Sequence, residues 1–219
     1  MRIGIIGAGN IGGNLTQRLT ALGHVVTVAN SRAPGTLASL AAKTGARAVP
    51  ASEAARDTDL VIVAIPERAI PALPTGILDG TVPGAPIVDT GNYFPRERDG
   101  RIDAIEAGMP ESEWVSGQLG RSVVKAFNTI YAQHLLDRGR PAGTPGRIAL
   151  PVAGDNRGAQ AVVMRLVDEL GFDPVDAGPL AESWRQQPGT PVNGADLDAD
   201  GVIEALAAAS PERPKGLRA

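Results

Sequence analysis

The 219-residue chain has no cysteine, two histidines and only 3% aromatic residues. Without cysteine there is no disulfide framework and no thiolate metal site. With so few rings the core has to be built from Val, Ile, Leu and Ala, which suits buried parallel strands. Positive charge is also scarce: 21 Lys and Arg stand against 24 Asp and Glu, for a net charge of −3. A nucleic-acid partner needs clustered positive charge to neutralise phosphates, so DNA and RNA are set aside. No apolar run approaches the roughly 18 residues of a membrane span, and a first strand starting at Arg2 leaves no room for a leader. The expectation is a cytoplasmic protein with no membrane partner.

What is present is an alternation. Short apolar runs at residues 2–6, 25–29, 60–65, 86–89 and 123–127 read as strands. Two more, at 148–153 and 172–176, flank a segment in which Val162, Val163, Leu166, Val167 and Leu170 share one helical face. Between the first two strands Ile11, Leu15, Leu19 and Leu22 recur at helical spacing, and Gly23 follows where a helix C-cap belongs. Repeated βα units of this kind predict an α/β, Rossmann-type doubly wound fold: a mostly parallel sheet of about seven or eight strands with helices on both faces. Residues 1–180 are read as one NADP-binding Rossmann domain, for the reasons given next. The remaining 181–219 are read as a C-terminal cap or tail rather than an independent domain, with a loop at 186–191 and one short helix at 202–209.

The first strand runs directly into Gly7-Ala8-Gly9-Asn10-Ile11-Gly12. A glycine run alone can be no more than a tight turn, and context decides. Here the first glycine follows a strand, Gly9 lets backbone approach a pyrophosphate, Gly12 lets the helix lie close to the sheet, and the helix N-terminus offers partial positive charge to an anion. NAD-binding domains place an acid about 20 residues further on, where it accepts from the ribose 2′-hydroxyl. Here the second strand ends instead in Asn30-Ser31-Arg32. A hydroxyl and a guanidinium without a carboxylate suit a 2′-phosphate, so NADP(H) is the expected cofactor. The competing reading has Ser31 capping a following helix and Arg32 merely solvated.

These residues, together with Ala64-Ile65-Pro66, resemble the F420-dependent NADP oxidoreductase family. Val123-Val124-Lys125-Ala126-Phe127-Asn128-Thr129 is similar to the strand that the family, and the related cytosolic domains of metalloreductases, place beside the nicotinamide. Ala177-Gly178-Pro179-Leu180 is similar to the family's Gly-Pro turn. The resemblance implies a compact domain, commonly a homodimer, that moves hydride between NADP(H) and a small planar acceptor such as coenzyme F420 or a flavin. It places Gly7 to Gly12 at the pyrophosphate, Ser31 and Arg32 at the 2′-phosphate, and Ala64, Ile65 and Pro66 along the ribose and nicotinamide. Two departures fall on the acceptor side. Asn128 stands where deazaflavin-using members tend to carry histidine, and residues 186–219 replace a long apolar helix.

Hydride transfer rests mainly on positioning, so an obvious acid or base is not required. Asn128 is the candidate catalytic residue, its amide suited to orienting an acceptor carbonyl, although a turn-forming role is as plausible. Asn92, Tyr93 and Ala126 join it as candidate acceptor-side residues near the strand ends. Lys125, mid-strand, reads as a structural ion pair before a proton donor. His24 lies at the wrong end of its strand, and His134 reads chiefly as a helical packing residue. Asp196, Asp198, Asp200 and Gly201 open like a calcium loop, but Ala207 stands where the bidentate Glu belongs, so no metal is expected and Asp200 or a neighbour is read as a helix cap. Two other functions fit the same motifs: a small imine, keto-acid or hydroxy-acid reductase, and a non-catalytic NADP(H) redox sensor.

Overall fold

The computed structural model describes residues 1–219. Its regular elements are β1 (Arg2–Ile6), α1 (Asn10–Ala21), β2 (Val25–Ala29), α2 (Ala38–Thr44), β3 (Arg47–Ala48), β4 (Leu60–Val63) and β5 (Ile87–Asp89). They continue as α3 (Asp103–Glu106), α4 (Glu111–Leu119), β6 (Val124–Lys125), α5 (Ala132–Asp137), β7 (Ala149–Val152), α6 (Arg157–Glu169), β8 (Asp173–Asp176) and α7 (Ala199–Ala207). No helix is long and apolar enough to cross a membrane.

Six strands form a parallel sheet in the order β3-β2-β1-β4-β5-β6. This is the Rossmann arrangement, in which the strand order reverses beside β1. The strands number eight in all, but they do not make one sheet: β7 and β8 pair with each other in a separate parallel ribbon. That ribbon is hydrogen-bonded to the main sheet through an antiparallel bridge, where Lys125 and Ala153 exchange backbone hydrogen bonds of 2.8 and 3.0 Å. The division has a local cause. β6 is two residues long because Phe127 adopts φ 65, a left-handed conformation that ends the extended run.

Period-two alternation explains why both faces of the sheet are covered. Ile3, Ile5, Val26, Val28, Leu60 and Ile62 point into one core with Leu15 and Leu19 of α1 and Val163, Leu166 and Val167 of α6. Ile6, Ala29, Val61, Val63 and Ile87 point into the other, against Ile70, Ile77, Trp114 and Val115. α6 is capped by Asn156, whose side chain accepts from Ala159 N at 3.0 Å. It is tied to β8 by the buried Arg147, 2.8 Å from Asp168 and 2.6 Å from Asp173.

The chain beyond residue 180 packs onto this frame. Leu180, Ser183 and Gln186 are buried in a 3-10 turn. α7 closes a third apolar cluster against the ribbon, with Val202, Ala205 and Leu206 meeting Ala149 and Val175. The helix starts three residues before the expected 202 because Asp198, rather than Asp200, caps it by accepting from Gly201 N at 3.0 Å.

Gly12 fixes how closely α1 lies on the sheet. A methyl group there would overlap the Gly7 carbonyl and come within 3.2 Å of Ala64 Cβ. Gly12→Ala should therefore destabilise the fold by about 1–3 kcal/mol, read as a lower urea midpoint, and an unchanged midpoint would show that α1 is not seated this tightly.

Candidate dinucleotide site

The site grows from the carboxyl end of β1. Gly7 takes φ 108, and a side chain there would overlap the Ala64 carbonyl. Gly9 is the N-cap of α1, so no side chain caps the helix, and its first turn contains no acid. A Cβ on Gly9 would meet nothing within 4 Å. The first-turn N–H groups thus face open space with the helix dipole behind them, an arrangement suited to an anion.

Two cavities flank this point. One, of about 810 Å³, is lined by Gly7, Ala8 and Gly9, by Asn30, Ser31 and Arg32 at the end of β2, and by Ala64, Ile65, Pro66 and Arg68 after β4. Asn30 shapes its turn: Oδ1 accepts from Arg32 N at 2.9 Å and Nδ2 donates to Thr36 Oγ1 at 3.0 Å. Ser31 and Arg32 are left exposed at the rim. The second cavity, of about 460 Å³, shares Gly9, Ala64, Ile65 and Pro66 with the first and adds Asn10 and Ile11. Its far wall is Thr90, Gly91 and Asn92 after β5, Phe127 to Ala132 after β6, Asn193 and Gly194 from the C-terminal segment, and Phe94 with Arg98. The two are lobes of one trough across the switch point of the sheet.

The structure therefore gathers the expected phosphate residues and Ala64 to Pro66 in one place, with Gly12 beneath them as a packing contact. On the acceptor side the outcome is mixed. Asn92 and Asn128 line the second lobe. Asn128 is not free, however: its Nδ2 donates to Asn92 Oδ1 at 3.0 Å and to Gln186 O at 2.7 Å, and its Oδ1 accepts from Gln186 Nε2 at 3.0 Å. Asn193 Nδ2 also donates to Asn128 O, at 3.2 Å. Both amide hydrogens of Asn128 are spent on bracing the wall, so it positions the lobe and has no donor left to orient an acceptor carbonyl.

Tyr93 and Ala126 do not reach the trough. Tyr93 is fully buried in the second core, its hydroxyl accepting from Ile102 N at 2.9 Å. Ala126 remains in register, donating its N–H to Asp89 O at 3.1 Å, and faces the first core. Tyr93 turns into the core one position after Asn92, and the left-handed backbone at Phe127 ends the extended run, so Asn128 does not share the facing of Ala126. His24 pairs with Glu169 at 3.1 Å, and His134 pairs with Asp196 at 2.8 Å.

A buried charge network stands directly behind the wall at Gly91. Lys125 Nζ is 2.9 Å from Asp89 Oδ2 and donates to Gly91 O at 2.6 Å, while Ser112 Oγ donates to Asp89 at 2.6 Å. Burial alone would lower the Lys125 pKa, but the surrounding Asp89, Glu67 and Glu111 more than reverse this and raise it. Glu67 packs so close to Gly91 that a side chain there would overlap its carboxyl. Both Glu67 oxygens are buried without a hydrogen-bond partner. Burial, and next the charge of Asp89, push its carboxyl well above the ordinary range. Glu111 is likewise raised by burial, with Lys125 and its ion-pair partner Arg213, 2.5 Å away, acting against the shift. Arg98, Arg68, Tyr131 and Asn193 were not legible as site residues, because turns and the C-terminal segment deliver them without periodic signal.

A Rossmann sheet with a glycine-lined, uncapped helix at its switch point defines a dinucleotide-binding domain. Comparison with known proteins narrows this. A sequence model of the family described as NADP oxidoreductase, coenzyme F420-dependent, matches residues 2–93. Hypothetical protein SMa0349 from Sinorhizobium meliloti is 34% identical, with a TM-score of 0.75 covering 90% of this chain and 94% of that one. A structure from Arthrobacter sp. FB24, described as a candidate F420-dependent NADP reductase, is 25% identical with a TM-score of 0.69, covering 84% of this chain and 87% of that one. The Escherichia coli K12 protein YjhV is 49% identical over 73 residues, which are 33% of this chain and about half (53%) of that relative. The chain belongs to the F420-dependent NADP oxidoreductase family.

The Glu67 carboxyl gives a pH prediction. Its folded pKa lies above the usual value near 4.5, so the unfolded chain ionises first as pH rises and the fold loses stability through that range. Glu67→Gln removes this loss. Its melting temperature should match wild type near pH 4 and rise above it as pH climbs past the ordinary carboxylate range; a difference that does not change with pH would contradict the assignment.

Proposed function

We propose that the protein is an NADP(H)-dependent oxidoreductase that transfers hydride between NADP(H) and a small planar acceptor such as coenzyme F420 or a flavin. The observation that carries this reading is the two-lobed trough meeting at the bare N-terminus of α1, with Ser31 and Arg32 at one end and a wall of amides and rings at the other. The open space above Gly9 and the lack of any acid in the first helical turn fit a pyrophosphate at that point.

Each part of the chain has a distinct task. Backbone N–H groups of Gly9, Asn10 and Ile11 hold the diphosphate, and Ser31 and Arg32 hold the 2′-phosphate through a hydroxyl and a planar guanidinium. Bound NADPH supplies the hydride from its nicotinamide ring. Ile65, Pro66, Phe127 and Ile130 exclude water from the second lobe, where positioning lowers the barrier. The Asn92, Asn128, Gln186 and Asn193 amides keep the end of β5, the end of β6 and the C-terminal segment at fixed separation. Resemblance to the family adds a homodimer to the proposal.

Ser31→Asp with Arg32→Ala replaces two phosphate donors by a repelling charge. NADPH affinity, followed by nucleotide fluorescence, should fall roughly 100-fold, with NADH affinity changing far less. Equal NADPH affinity in the variant and wild type would remove the coenzyme assignment, and absence of NADPH oxidation by wild type against F420 and flavins would remove the acceptor class.

A further inference from the structure

The geometry points to Arg98 as the residue that selects the acceptor, by binding an anionic group on the acceptor's side chain. This rests on the proposed hydride transfer in the second lobe. Among the residues lining that lobe, Arg98 is the one formally charged side chain; the other polar groups are asparagine amides, threonine hydroxyls and the Tyr131 phenol. No carboxylate lines it; Asp99, which pairs with Arg98, is buried behind the lining.

Arg98 is also held in place before any ligand arrives. Its Nε donates to both Asp99 oxygens at 3.2 Å, and its Nη2 donates to Asp99 Oδ2 at 3.0 Å and to the Asn92 carbonyl. Its guanidinium sits 5.6 Å from the centre of the Phe94 ring. Asp99 cannot follow a ligand, because its side chain is 0% exposed and it accepts from Phe94 N at 2.9 Å and Arg68 N at 3.3 Å. Nε and Nη2 are therefore spent on the frame, while Nη1 has no bond within the chain and the side chain stays 36% exposed. A guanidinium fixed on one edge and free on the other binds an oxyanion with little ordering cost.

The link from Arg98 to Asn92 ties this recognition to the amide frame. Asn92 donates its Nδ2 to Asn128 O at 2.8 Å and lies beside Gly91 on the wall. An anion docked on Nη1 would bring the acceptor's side chain to the Phe94 side and leave its ring against Ile65, Pro66 and Phe127.

FMN and riboflavin share a ring and differ in one phosphate, so they separate charge recognition from ring binding. Their binding is titrated by flavin fluorescence on wild type, Arg98→Gln and the double variant Arg98→Gln with Asp99→Asn, which avoids leaving Asp99 buried and unpaired. Each titration is run with and without NADP+, and NADPH affinity is measured on the same preparations. Wild type should bind FMN at least tenfold more tightly than riboflavin. Both variants should reduce that preference to within twofold, with riboflavin and NADPH affinities unchanged. Equal binding of the two flavins by wild type, binding of neither, or a preference that survives in a folded variant would overturn the assignment. A loss of NADPH affinity in the variants would overturn it in favour of a coenzyme contact. Failure of wild type to bind NADPH would instead strike the underlying coenzyme reading, so the two failures are distinguishable.

Discussion

The whole arrangement depends on one constraint: the first turn of α1 must present bare N–H groups at the point where the strand order reverses. Gly7 and Gly12 make this possible by letting the helix and the Ala64 segment approach to distances that any side chain would block. Gly9 then leaves the space above the helix clear. Because β2 lies on one side of β1 and β4 on the other, the ends of these strands flank that space, and the two lobes follow from the topology. Moving α1 outward by the width of one methyl group would separate the lobes from their common centre.

The second lobe has a different kind of support. Its wall at Gly91 is backed by the buried Lys125–Asp89 ion pair and by the buried carboxyls of Glu67 and Glu111, ionisable groups that apolar packing alone would not require. Removing one member of a buried pair leaves an uncompensated charge, which costs about 3–5 kcal/mol. The C-terminal segment belongs to the same support. Arg213 stacks over Tyr93 at 5.0 Å and neutralises Glu111, while Gln186 and Asn193 complete the amide frame around Asn128. The end of the chain thus helps to shape the lobe in which the acceptor is proposed to lie.

The strands, and the meeting of the glycine run with Ser31 and Arg32 at one cavity, were legible because they depend on local pattern: apolar runs of strand length, a glycine run after a strand, and a short polar segment closing the second strand. The partition of strands into six and two was not legible. It follows from the left-handed backbone of the bulky Phe127, a conformation imposed by tertiary context and worth about 1–3 kcal/mol of local strain. Tyr93 was placed on the wrong side because one position reverses the facing of a side chain, and Ala126 because the left-handed Phe127 breaks the alternation that would have set it beside Asn128. Arg98 and Arg68 come from short non-α turns after β5 and β4, where no periodicity marks the inward face. The fate of Asn128 depended on Gln186, 58 residues away in sequence, and no pattern within either segment reveals that contact.

In the proposed function one NADP(H) molecule spans both lobes with its diphosphate on α1. A crystal structure of the protein with NADP+ tests this most directly. Diphosphate density is expected within hydrogen-bonding distance of the Gly9, Asn10 and Ile11 N–H groups, the 2′-phosphate against Ser31 and Arg32, and the nicotinamide in the lobe walled by Thr90, Phe127 and Asn128. A nucleotide bound away from α1, or one whose 2′-phosphate points into solvent clear of Ser31 and Arg32, would contradict it.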